Sequence, residues 1–165
     1  MAPLNVLLAT FVVLVLARRF LAPRALSWSL CGRAAMSVML LLTGSSHFSM
    51  TDQLAEMLPP AVPIRTEIIY ATGVVELLAA VGLLVPATSR LTSWCLIAFF
   101  LAVLPANIYA ALHRVGVGDH GPAYLWFRVP LQLFFIGWVW YFGAAAGAMN
   151  AFGRKGVSSW RMIPF

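Results

Sequence analysis

The chain has 165 residues, 62% of them hydrophobic and 10% charged, with a formal net charge of +6. Soluble domains run at roughly half and a quarter, and a single core of this size cannot hide so many apolar side chains. An ordinary soluble enzyme is thereby excluded, and basic residues set between apolar runs point to membrane topology rather than to nucleic acid.

Five apolar runs are expected to span. The first, Pro3 to Ala17, is closed by Arg18 and Arg19. It falls short of the ~20 residues a span needs, but snorkelling arginines extend it. No basic stretch precedes it and no small-x-small cleavage site follows, so a retained anchor is expected rather than a removable signal peptide. The second run covers Leu26 to Phe48 and the third Ile64 to Pro86. The fourth extends from Leu91 to Leu112 and the last from Tyr124 to Gly147.

Between the second and third runs, "SMTDQLAEMLPPAVP" predicts a short helix. Thr51 is the expected cap, and Asp52 and Gln53 form its first turn. Leu54, Met57 and Leu58 share one face, Pro59 and Pro60 end the helix, and the segment is expected to lie on the outer surface.

Charge assigns the sides. Arg18, Arg19, Arg24, Arg33, Arg90, Arg154, Lys155 and Arg161 fall at one set of ends, which the positive-inside rule places in the cytoplasm. Asp52, Glu56, Arg65, Glu67, Arg114 and Asp119 fall at the other. The N-terminus is thus expected outside and the C-terminus inside. The expected architecture is an all-α integral membrane protein: a four-helix transmembrane bundle (26–147), an additional N-terminal transmembrane helix with its basic connection (1–25), and a cytoplasmic tail (148–165).

Glu76 is the one acidic side chain in the run "ATGVVELLAAVGLLVP". At a rise of about 1.5 Å per residue it lies roughly 12 Å below the start of that run's apolar part. An ionised, unpaired carboxylate there is very costly, so it is protonated or paired. Tyr124, Arg128 and Gln132 are spaced i, i+4, i+8 and share a face of the last helix, where Arg128 is the expected partner of Glu76. Asn107 lies at a comparable depth, and His47 with Tyr70 completes an expected polar ring. Pro105 and Pro130 free the carbonyls of Leu101 and Trp126, for which Arg128, Gln132 and Asn107 are candidate donors. Gly44 and Gly73 are expected to let two backbones approach closely. Either the cluster fixes helix packing or it is a site; both readings stay open.

Cys31 and Cys95 are far apart and form no CxxC, so both read as small buried hydrophobes. Three scattered histidines and no clustered carboxylates predict no dedicated metal site.

The segments "TGSSHF", "MLPPAVP", "TGVVELLAAVGLLVP", "LPANIYA" and "YLWFRVPLQ", in that order across about residues 33 to 142, resemble the DoxX family of small bacterial membrane proteins. The resemblance implies a four-helix membrane bundle in the inner membrane, with the first helix matching a longer-chain subset. The family's recurrent polar positions match His47, Glu76, Asn107, Arg128 and Gln132. The family is named for its relation to subunits of a thiosulfate:quinone oxidoreductase, and relatives include oxidative-stress complex members and a receptor-assembly chaperone. Lacking the CxxC of related thiol–quinone enzymes, this chain is not expected to be a disulfide oxidoreductase. Two functions follow. One is a quinone- or lipid-binding subunit of a membrane redox complex, with His47, Tyr70, Glu76, Asn107, Tyr124, Arg128 and Gln132 around the ligand and electrons supplied by a partner. The other is a non-catalytic accessory, assembly or chaperone subunit. In both, the partners are the lipid bilayer and other membrane subunits, and a quinone is the candidate cofactor.

Overall fold

A computed structural model describes residues 2–21, 25–115 and 122–146, and no strand occurs among them. The tail 148–165, Arg24, Asp119 and His120 lie outside the described residues. Each apolar run folds as a helix: α1 is Ala2–Phe20, α2 Trp28–Ser49, α4 Arg65–Leu84, α5 Ser89–His113 and α6 Leu125–Val139. The last continues without a break into a π-helical turn, Trp140–Ala145, and follows a 3-10 turn at Pro122–Tyr124.

The short helix α3 occupies Thr51–Ala55 and stops well before the prolines. Thr51 is not its cap. Met50 holds that position, and the Thr51 hydroxyl donates back to the His47 carbonyl at 2.7 Å. A hydroxyl four residues past a free terminal carbonyl of α2 satisfies that carbonyl, so Thr51 closes α2 rather than opening α3.

Among the described residues, three helices are long and apolar enough to cross a membrane: α1, α4 and α5. Serines, glycines, Arg33 and His47 dilute the apolar character of α2, and α6 is short by itself at 15 residues. The outward faces remain apolar. Val13, Leu78, Val81 and Leu91 are all more than half exposed, a pattern compatible with lipid surroundings.

The helices α2, α4, α5 and α6 close a ring, each packed on the next, and the π-helical end of α6 returns to α2. Within lipid the hydrophobic effect does not draw helices together, so small residues and close packing must. The buried stripe of α4 has that composition: Ile69, Gly73, Glu76, Ala80 and Leu83 recur at steps of three and four. Gly32, Met36, Leu40 and Gly44 recur at steps of four on α2. The interface between these two helices is the most extensive in the bundle.

Helix α1 lies against α2. Its Phe11 ring meets Trp28, Trp138 and Phe142 edge-on, with centroids 4.8 to 5.3 Å apart. Two polar bonds hold the end of α6 to the start of α2 beneath that cluster. Trp138 Nε1 donates to the Gly32 carbonyl at 3.0 Å, and Ser29 Oγ to the Phe142 carbonyl at 2.6 Å.

Candidate functional site

The polar residues gather at two places rather than in one ring. The first lies between α2 and α4. Glu76, 8% exposed, sits near the middle of α4 with its Oε1 3.5 Å from His47 Nε2. Its other oxygen accepts the Thr43 hydroxyl at 2.5 Å. On the far side of the imidazole, His47 Nδ1 lies 3.1 Å from the Ile69 carbonyl and 3.0 Å from Thr72 Oγ1.

That geometry assigns the protons. A carbonyl oxygen can only accept, so the Nδ1 facing Ile69 carries hydrogen. The Thr72 hydroxyl is itself directed at the Ile69 carbonyl, at 2.8 Å, leaving its oxygen free to accept from the ring. Nε2 of a neutral imidazole is then bare and faces a carboxylate oxygen. Two acceptors cannot be held together in a buried site without a proton between them. The pair therefore carries one shared proton and is neutral as a unit, whichever atom holds it. This resolves the cost of a lone carboxylate on an apolar helix.

Close backbones make the dyad possible. A Cβ placed on Gly73 would meet His47 Cβ at 2.7 Å and the Gly44 carbonyl oxygen at 3.1 Å. One placed on Gly44 would meet Glu76 Cβ at 3.2 Å. The two glycines thus lie at the close approach of α2 and α4, as expected of residues without a side chain.

The second group joins α5 and α6. Arg128 Nη2 donates to Asn107 Oδ1 at 2.6 Å, and the buried Gln132 donates Nε2 to the Phe100 carbonyl at 2.8 Å. The expected Arg128–Glu76 pair is absent among the described residues. α4 packs chiefly on α2, α6 packs on α5, and each polar side chain is satisfied by its own neighbour. Gln132 also reaches Phe100, not the Leu101 carbonyl that Pro105 was expected to release.

Tyr70 departs from the expected ring. It is 43% exposed and stacks on Phe48, with centroids 5.7 Å apart, so its face of α4 points away from Glu76. Tyr124 is half-buried against Phe127 at the head of α6.

Thr43 and Thr72 were missed. Each stands four residues before a dyad member, on the same helical face, so the signal was legible as Thr-x-x-x-His and Thr-x-x-x-Glu. No group of three or more His, Cys, Asp or Glu lies together among the described residues.

Residues 36–143 match a domain of unknown function, DUF8561. The chain belongs to that family. The DUF8561 segment begins within α2 and ends in the π-helical turn, so it takes in both polar groups and leaves α1 outside. No curated protein and no solved structure matches this chain.

Proposed function

We propose that this DUF8561 protein is a five-span subunit of the bacterial inner membrane that binds the head of a quinone or similar amphipathic lipid beside the His47–Glu76 dyad, in association with a membrane redox complex. The carrying observation is the His47–Glu76 pair: Nε2 lies 3.5 Å from Oε1 between α2 and α4, with Glu76 buried and His47 half-buried, a geometry that suits a transferable proton between them. A quinone oxygen gains protons as it gains electrons, and a donor of this kind beside it suits that chemistry. Electrons come from a partner subunit. The order of the DoxX-like segments favours the same reading.

Five spans are supported by the 22 residues of α2 and by the uninterrupted run of α6 into its π-helical turn. Orientation follows from charge. Arg18, Arg19, Arg33 and Arg90 lie at one end of the bundle, and Asp52, Glu56, Arg65, Glu67 and Arg114 at the other, a bias that favours the N-terminus outside and α3 on the outer surface.

The test is native mass spectrometry of protein released gently from its own membrane. A quinone-sized mass is expected on the wild-type chain and absent from a folded Glu76→Gln variant. Wild-type protein that never carries a quinone, and takes none from quinone-loaded nanodiscs, overturns the reading.

A second reading, a non-catalytic accessory or assembly subunit, is favoured by the glycine-packed interface around the dyad, which suits a pair that fixes α4 on α2. Under it, Glu76→Gln changes the yield of the complex, and a stoichiometric protein partner appears with no quinone.

A further inference from the structure

The hydrogen bonds of the His47–Glu76 pair continue toward the α3 end of the bundle. His47 belongs to the last turn of α2, and Thr72 stands one turn nearer the start of α4 than Glu76. Both residues are half-buried. Nε2 of the ring lies 3.5 Å from Glu76 Oε1, and Nδ1 lies 3.0 Å from Thr72 Oγ1. The Ile69 carbonyl beside Nδ1 only accepts. A hydroxyl is different: it accepts from Nδ1–H, and once rotated it donates to a bare Nδ1. Thr72 therefore partners either neutral tautomer of the ring. When Nε2 takes a proton from Glu76, Nδ1 releases one to the Thr72 oxygen, whose own hydrogen moves on toward the α3 end. The ring is left as its other tautomer, and the reverse sequence returns the proton.

In the opposite direction the chain of polar groups stops. Thr43 donates its hydroxyl to Glu76 and otherwise lies against the Met39 and Leu40 carbonyls of its own helix. Beyond it, residues 38–42 of α2, 77–84 of α4, 96–104 of α5 and 133–137 of α6 carry no polar side chain. Gln132, at the edge of this layer, is committed to the Phe100 carbonyl. Met39, Leu40, Ala80, Leu83 and Leu96 within it are at most 2% exposed. The crevice beside Leu83 and Val139 is too narrow for a water molecule. Water enters only where it finds space and polar partners, so a proton has no carrier through this layer.

The other charged groups stand apart from the pair. α3 and its C-cap bring Asp52 and Glu56, both exposed, and the first turn of α4 brings Arg65 and Glu67. Arg128 of α6 is held by Asn107 of α5, and His113, at the end of α5, is bonded to the Tyr109 carbonyl. Arg18 and Arg19 of α1, Arg33 of α2 and Arg90 of α5 lie at the other end. Among the described residues, Glu76 forms an ion pair with His47 alone. We infer that the pair exchanges its proton only with the aqueous phase on the α3 side of the membrane, through Thr72, so that protons given or taken by a ligand at this site leave or enter on that side. The inference deepens the site reading above and rests on it for the ligand, whereas the sidedness rests on the membrane-spanning bundle.

The experiment follows the Glu76 carboxyl by time-resolved infrared spectroscopy, with the full chain in quinone-free phosphatidylcholine vesicles, after an acid jump in the outer medium. Subtracting the Glu76→Gln spectrum removes Asp52, Glu56, Glu67 and every other carboxyl. Where that variant does not fold, Glu76→Asp, which displaces the band, is the reference. In vesicles with the α3 end outward the Glu76 band should change at once, and nigericin, which then carries the jump inside, should add nothing. In vesicles of the opposite orientation the change should wait for nigericin. Thr72→Val should slow the prompt response about a hundredfold, the low end of what one positioned proton-transfer group contributes. Thr72→Ser should keep it fast. A response that waits for nigericin with the α3 end outward, a prompt response in both orientations, no response in either, or a Thr72→Val variant as fast as wild type each overturns the inference. Where Thr72→Val does not fold, the comparison of orientations in wild type decides alone. No quinone is present, so failure here leaves the quinone reading to its own mass-spectrometric test.

Discussion

His47 and Glu76 meet between α2 and α4 with Nε2 3.5 Å from Oε1, while Nδ1 of the same ring faces the Ile69 carbonyl at 3.1 Å. The second contact decides the character of the first. With Nδ1 donating to Ile69, Nε2 is the ring atom left to share a proton with Glu76, so the pair can be neutral as a unit in an apolar surround.

Glu76→Gln and Glu76→Ala should therefore differ. The glutamine keeps an acceptor for Thr43 and gains an N–H for the bare Nε2, so its unfolding free energy should stay within about 1 kcal/mol of wild type. Alanine orphans both partners and should cost about 3 kcal/mol. Unfolding in mixed detergent and SDS, followed by tryptophan fluorescence, measures both. Equal losses would mean that the interface needs a negative charge rather than the two hydrogen bonds.

A double-mutant cycle separates the two polar groups. Arg128→Ala and Asn107→Ala should couple by about 1–2 kcal/mol, because a 2.6 Å charge-assisted bond joins them. Arg128→Ala and Glu76→Gln should be additive within about 0.5 kcal/mol. Strong coupling of the second pair would restore the single ring that spacing alone suggested.

Glycine replacements should rank by what the new Cβ meets. Gly73→Ala drives a methyl into His47 Cβ and the Gly44 backbone and should cost about 2 kcal/mol, typical of overpacking. Gly44→Ala meets mainly the end of the Leu77 side chain, at 3.0 Å, which can turn aside. It should cost less than half as much. The same SDS titration gives the order, and a reversed order would show that α4 does not close on α2 through Gly73.

Ile64 caps α4 with φ of 48°, in the left-handed region that a β-branched residue tolerates poorly. It is also 66% exposed, so little packing is lost on replacement. Ile64→Asn should stabilise the chain by about 1 kcal/mol, seen as a raised unfolding midpoint in detergent. A lowered midpoint would mean that the isoleucine's apolar contact outweighs its backbone strain.

Much of the helical order was legible because lipid and water impose simple demands. Runs of apolar residues broken by arginine or by proline and glycine read directly as α1, α2, α4, α5 and α6, with ends displaced by only a few residues. Gly44 and Gly73 were legible for the same reason, since one residue type alone allows such close backbones. Thr51 was misread because a capping residue and a residue closing the preceding helix look identical in sequence. Which carbonyl the hydroxyl reaches depends on how α2 ends.

The sequence by itself determined where Glu76 must sit and that it could not remain alone there, because an unpaired charge on an apolar helix is intolerable. It could not choose the partner. His47, Arg128, Asn107 and Tyr70 were all at reachable depth, and depth along a helix says nothing about which helix lies next to it. Only the tertiary structure decided that, by pressing α4 against α2 through two glycines and leaving α6 to α5. Glu76 consequently pairs with His47, Arg128 turns to Asn107, and Tyr70 stacks outside on Phe48.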